Sequence, residues 1–258
     1  MSSPLRASDL ARNRLLAELP NGERDHLASS MARMPLTPHD MLVEPGARIR
    51  KVYFPLSGVI SLMIPLADGR ALETATIGRE GMVGVHALFG GGSLGHFIAM
   101  AQVPGESLTM DVDHFRAEMV AEGKLPSLMF AYTQVVFAQI SQSVACNGAH
   151  EIQQRCARWL LETHDRVESD EIELTQEFLA DMLGVTRPSV TVAARTLQNA
   201  GLVRYRRGHI TVLDRAALEE ASCECYAAVR EEYERLIGPN GSTGPDGPDG
   251  PDGPDGLD

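Results

Sequence analysis

The spacing of hydrophobic positions divides the chain into stretches of different period. Over residues 10–34, Leu15, Leu16, Leu19, Leu27, Met31 and Met34 recur at near-helical spacing and predict helices. From about 36 to 112 the apolar runs shorten. Lys51 to Phe54, Val59 to Ile64 and Ala99 to Val103 are separated by Gly46, Gly58, Gly69, Gly78, Gly81, Gly84 and Gly105, the spacing of strands and turns in an antiparallel sandwich or roll. A short helix is expected over 113–124, with Asp113 as its cap. Pro126 then opens a long apolar helix, with Leu128, Met129, Tyr132, Val135, Val136, Ile140 and Val144 on one stripe and Phe130 and Phe137 off it. So apolar a helix must be covered on several sides, either inside one domain or, as favoured here, against a second copy of itself.

After another helix over 150–166, with Ile152, Cys156, Trp159 and Leu160 inward, the pattern becomes strand, helix, turn, helix, hairpin, helix. The stretch 175–214 is the most informative. Thr175 caps one helix whose inner face is Phe178, Leu179, Met182 and Leu183. Gly184 ends it, because the sharp turn favours a residue tolerant of positive φ, and Val185 fills the corner. Thr186 caps a second helix with Pro188 in its first turn; Val190, Ala193, Ala194 and Leu197 face inward and Arg187, Ser189, Thr191, Val192 and Arg195 outward. Strands at 202–206 and 209–213 flank a turn at Arg207-Gly208. Two helices joined by a tight turn, followed by a basic hairpin, form a winged helix-turn-helix. On this reading Thr175, Gln176, Thr186, Arg187, Ser189, Thr191, Val192, Arg195, Arg204, Arg206 and Arg207 meet DNA. Arg187 is set for guanine, Arg195 for phosphate, and the three hairpin arginines for the backbone.

The expected fold is therefore α+β: N-terminal helices over 1–34, an antiparallel β-roll or jelly roll over 35–125, a connecting dimer helix over 126–147, a winged helix-turn-helix domain over 148–237, and a Gly-Pro-Asp tail over 238–258 read as disordered. A net charge of −12 over 258 residues does not oppose DNA, because charge is segregated. Residues 183–213 hold five arginines and no Asp or Glu, while the tail alone holds five aspartates. No apolar run approaches the roughly 20 residues that span a bilayer, and no apolar stretch follows the charged N-terminus, so a cytoplasmic protein without membrane contact is expected. The four cysteines, Cys146, Cys156, Cys223 and Cys225, lack Cys-x-x-Cys spacing and read as reduced structural thiols, with a redox or metal contact at Cys223-Glu-Cys225 as the alternative.

These residues resemble the Crp/Fnr family of bacterial regulators over about 14–215. "YFPLSGVISLMI" and "DGRALETATIGREGMVG" look like that family's cyclic-nucleotide-binding-type roll, "QRCARWLL" is similar to the helix opening its DNA-binding domain, and the helix-turn-helix is the most specific match. The resemblance implies a homodimer joined along the 126–146 helix, an effector sensed in the roll, double-stranded DNA as partner, RNA polymerase as a further partner, and no enzymatic activity. It also marks departures. Where cyclic-AMP-binding members carry a glycine-glutamate pair, Gly84 is followed by Val85, and no Lys or Arg occurs from Glu80 to Phe115. A buried phosphate would lack its charge-assisted contacts, so cyclic AMP is not expected to bind in the usual way. The family's threonine-serine pair aligns with Ile140-Ser141. No cysteine precedes Cys146, which excludes the family's N-terminal iron–sulfur sensor. The effector is unknown, no metal is assigned, and the pocket is placed at Gly84, Val85, His86, His96 and Ser141. In the reading helix the family's arginine aligns with Arg187, while its glutamate and second arginine positions hold Pro188 and Val192. The alternatives are a metal-dependent β-roll enzyme using Glu80, His86 and His96, and a protein-interaction adaptor using the acidic helix after Asp214.

Overall fold

The computed structural model describes residues 4–89, 96–167 and 169–238. The tail over 239–258 lies outside the described residues. Three short helices, α1 (Ala7–Leu10), α2 (Arg14–Ala17) and α3 (Asn21–Ala28), precede β1 (Met31–Leu36). Helical spacing thus fails at Met31 and Met34, which lie on a strand. β1 pairs with β7 (Gly105–Asp111), and β7 pairs with β3 (Lys51–Pro55), so β1 is an edge. An edge tolerates Pro35, whose missing N–H would break a central ladder. The second sheet has the order β2 (Met41–Val43), β6 (Ile98–Val103), β4 (Val59–Pro65), β5 (Ala71–Ile77), all antiparallel. The strand runs read from the sequence fall on β3, β4 and β6.

Side chains alternate across these strands and reach different cores. On β3, Val52 and Phe54 join a core with α1–α3, while Tyr53 enters the roll interior. On β4, Ile60 and Leu62 fill the roll, and Met63 joins the core of the C-terminal domain. Strands buried on both faces read as continuous apolar runs, and here the second face is covered by the C-terminal domain.

α4 (Val112–Glu118) is capped by Asp111, whose carboxylate accepts from the Asp113 N–H at 2.9 Å, rather than by Asp113. α5 (Leu125–Ala149) is longer than expected at both ends and passes through Asn147-Gly148. It holds the roll through Tyr132, whose hydroxyl accepts from the Met82 N–H (2.9 Å) and donates to the Met82 carbonyl (3.0 Å), and through Gln139, which donates to the Thr76 carbonyl at 3.1 Å. α6 (Ile152–His164) starts the C-terminal domain. There follow β8 (Glu171–Glu173), α7 (Gln176–Leu183), α8 (Arg187–Asn199), β9 (Val203–Arg206) and β10 (His209–Val212), with sheet order β8-β10-β9. The single acidic helix expected after Asp214 is two, α9 (Arg215–Ala221) and α10 (Cys225–Leu236), broken at 222–224. α10 packs back on the N-terminal core, burying Tyr233, Leu236 and Ile237 there.

Candidate nucleic-acid interface

Thr175 accepts a hydrogen bond from the Phe178 N–H at 3.2 Å and so caps α7. Leu179, Met182 and Leu183 are buried, and Phe178 packs edge-on to Trp159. Gly184 ends the helix at φ 64°, ψ 35°, as the sequence requires. Arg155 of α6 donates to the Leu183 carbonyl and satisfies an exposed helix end, a contact invisible along the chain. On α8, Val190, Ala193, Ala194 and Leu197 are buried and place the opposite face outward.

That outer face carries Arg187, Val192 (58% exposed) and Arg195. Ser189 and Thr191 are half-buried. Thr186 occupies the cap position, but its hydroxyl accepts no backbone N–H and instead shares a 2.9 Å hydrogen bond with Ser189. The Thr191 hydroxyl lies 2.7 Å from Gln176 Oε1 and 3.0 Å from the Arg187 carbonyl, tying α8 to the start of α7. The wing turns at Arg207 (φ 49°) and Gly208 (φ 84°), a pair of positive φ values that suits a tight hairpin. Its angle is fixed by Tyr205, a residue the sequence reading passed over. The Tyr205 hydroxyl donates to the Leu174 carbonyl at 2.9 Å, and its N–H donates to Gln198 Oε1 at 2.9 Å.

Arg187, Arg195, Arg204, Arg206 and Arg207 are all exposed, and among the described residues none is held by an ion pair or side-chain hydrogen bond. By contrast, the arginines of α6 are spent internally. Arg158 binds Glu162 at 2.7 Å, and Arg166, in the turn after that helix, binds Glu80 at 2.8 Å. α8 and the β9–β10 hairpin therefore present five unpaired arginines on a chain of net charge −12.

The effector-pocket residues divide. Gly84 adopts φ 102°, and Val85 is buried at the start of a short 3₁₀ turn over 85–89. His86, on that turn rather than on a strand, stacks on Phe97 with ring centres 4.5 Å apart. His96, in a bend before β6, meets the same ring edge-on at 6.4 Å. Burial holds the His86 pKa below the usual imidazole value, and His96 adds to the shift. Ser141 is exposed on α5 and does not join them. Around Phe97 the roll is filled by Tyr53, Ile60, Leu62 and Val83. These described residues supply no cation and do not fit a phosphodiester ligand. Nor do Glu80, His86 and His96 converge on a metal, since Glu80 is engaged by Arg166 and by the Gly78 N–H at 3.0 Å. No helix among the described residues is long and apolar enough to cross a membrane.

Residues 33–122 match the cyclic nucleotide-binding domain, and residues 154–221 match the Crp-like helix-turn-helix domain. Comparison with curated proteins gives no match. Among solved structures, FixK2 from Bradyrhizobium japonicum aligns with a TM-score of 0.64 at 17% identity, over 75% of this chain and 98% of that one. A Crp/Fnr-family transcriptional regulator from Thermus thermophilus aligns at 0.62 and 21%, over 74% and 98%. The c-di-GMP-responsive regulator CLP of Xanthomonas campestris aligns at 0.60 and 15%, over 75% and 99%. At these identities the likeness establishes the fold. The two matched domains lie in the order the fold requires and together cover more than half of the sequence, and the chain belongs to the Crp/Fnr family of DNA-binding transcription regulators.

Proposed function

We propose that the protein binds DNA as a homodimer, reading bases with α8 and phosphates with the wing, and that the roll senses an effector other than a cyclic nucleotide. The observation that carries the DNA reading is the set of five unpaired, exposed arginines on α8 and the β9–β10 hairpin, within a stretch (183–213) that holds no Asp or Glu. Arg187, at the first turn of α8, reaches base edges; Arg195, Arg204, Arg206 and Arg207 neutralise phosphates on either side. Dimerisation rests on α5. Phe130, Phe137 and Val144 are 57%, 74% and 67% exposed and recur every seven residues. Gln134, Ser141 and Gly148 interleave with them, also exposed. Alternating steps of three and four make a coiled-coil seam, with large apolar groups in one register and small or polar ones in the other. Tyr132 and Gln139, on the roll side of the same helix, give a route by which a change near Met82 or Thr76 alters the angle of α5.

A gel shift with the DNA upstream of the protein's own gene tests the reading. Wild type is expected to bind that DNA in preference to unrelated duplex. Arg187→Ala should weaken specific binding by about 5–150-fold, the equivalent of roughly 1–3 kcal/mol, without lowering thermal stability. Unchanged binding in a well-folded Arg187→Ala protein would remove α8 as the reading helix.

A further inference from the structure

Away from the DNA-facing surface, the last turns of α5 meet the break between α9 and α10. Cys146 lies in the last turn of α5, and His150 caps the C-terminus of that helix, its N–H donating to the Cys146 carbonyl at 3.1 Å. Cys223 and Cys225 flank Glu224 at the start of α10. The Cys146 and Cys223 sulfurs are 3.5 Å apart, and the Cys225 sulfur is 3.4 Å from His150 Nδ1. All four ligand atoms lie within 4.8 Å of one another, and none of the cysteines is in a disulfide. Bonds of about 2.3 Å to sulfur and 2.0–2.1 Å to nitrogen would set the ligand atoms of a tetrahedral zinc site roughly 3.5–3.8 Å apart, close to these separations.

The surroundings suit a cation as well. The three cysteines are buried in a small cluster of their own. The second ring nitrogen of His150 is 3.1 Å from a Glu224 carboxylate oxygen, the carboxylate–imidazole arrangement that orients a metal-bound histidine. Gln142 donates to the Cys225 sulfur at 3.1 Å. Each cysteine of the cluster thus has a close polar neighbour: Cys146 lies against Cys223, and Cys225 against Gln142 and His150. Cys156 makes the contrast: it is buried among apolar groups of the C-terminal domain, its pKa pushed up to about 12 by burial alone, and it belongs to no such group. A Cys146–Cys223 disulfide would leave Cys225 and His150 without a role, and simple packing of thiols would not aim an imidazole nitrogen at sulfur.

We propose that Cys146, His150, Cys223 and Cys225 bind one zinc ion in a closed four-ligand site that clamps the end of α5 to the start of α10. With no open coordination position the ion is structural. It sits where the connecting helix hands over to the C-terminal domain, so it fixes the direction in which α10 returns to the N-terminal core. The site stands independently of the proposed function: failure of DNA binding with zinc retained would leave it intact, and absence of zinc with DNA binding retained would remove it alone.

Full-length protein purified under reducing conditions is expected to contain about one zinc per chain by mass spectrometric metal analysis. Cobalt(II) exchanged into the site should give the ligand-field and sulfur-to-metal charge-transfer bands of a tetrahedral thiolate complex. C223S and C225S should lose both signals, and a chelator should lower the melting temperature of wild type. Because these variants can also misfold, H150C provides a second arm: a fourth thiolate should retain zinc where H150A loses it. Protein that is folded and reduced yet neither contains zinc nor takes up zinc or cobalt overturns the proposal. So does iron with acid-labile sulfide at this site, or a Cys146–Cys223 disulfide in protein kept free of oxygen.

Discussion

Gly184 stands at φ 64°, and a Cβ built there would come within 2.8 Å of Leu72 Cδ2 on the facing strand of the roll. The left-handed backbone is what opposes a side chain, since the Leu72 methyl lies at the end of a flexible side chain and can move aside. Gly184→Ala should therefore cost about 1–2 kcal/mol in urea unfolding, and a variant as stable as wild type would contradict this account of the turn. Glu73 makes a different contribution. It accepts hydrogen bonds from the Ser61 hydroxyl and from Trp159 Nε1 (2.8 Å), joining the roll to α6. Burial lifts its pKa to about 7; the two hydrogen bonds and Arg158 act against that rise, and Glu162 adds to it. With the folded pKa above the unfolded value near 4.5, the proton is held more tightly in the folded state. Its stabilisation is fully present below about pH 4.5 and is lost as pH rises through 7. Wild type should lose up to about 3 kcal/mol relative to Glu73→Gln between about pH 5 and pH 8, read from denaturant midpoints. Parallel pH profiles for the two proteins would show that the carboxyl is not protonated when folded.

At the scale of elements, α5 serves two partners from one sequence. Leu128, Tyr132, Val135 and Gln139 face inward, and Phe130, Phe137 and Val144 remain outside. Phe137→Glu puts a charge at the middle of the proposed seam and should convert a dimer to monomers in sedimentation analysis, leaving the fold of each chain unchanged. A dimer that survives would move the interface elsewhere. The periodicity along this helix announced an element needing cover on several sides. Its main stripe, however, grouped Val144 with the inward residues, because a hydropathy pattern records that a position is apolar and not which surface covers it. The same limit explains β1. Met31 and Met34 fit a helical period, yet antiparallel pairing with β7 holds this stretch extended, and local spacing does not reveal that distant partner. In the helix-turn-helix the signals were local: a capping threonine, a turn glycine, a proline in the first turn and an apolar face at i, i+3, i+4 and i+7. That region was legible nearly residue by residue, apart from the Thr186 hydroxyl, which bonds Ser189 instead of the backbone, and from Ser189 and Thr191, which are half-buried where outward positions were expected.

Across the whole molecule, the chain returns to its beginning. Tyr233 is buried against the N-terminal core, Arg14 lies 5.2 Å from its ring centre, and Arg14 also pairs with Glu234 at 2.9 Å. Tyr233→Ala should destabilise the protein by about 3–5 kcal/mol and expose the N-terminal helices to protease; a loss below about 1 kcal/mol would show that α10 is not part of that core. Local periodicity, caps and turn residues were enough to determine the roll, the connecting helix, the helix-turn-helix and the outward placement of Arg187 and Arg195, since each depends on residues a few positions apart. Only the tertiary structure decided that the winged domain covers the outer face of β4 and β6, that α10 docks on the first helices, and that Cys146 meets Cys223. Those contacts join positions separated by dozens to hundreds of residues, where composition can indicate that a surface must be buried but not which distant surface buries it.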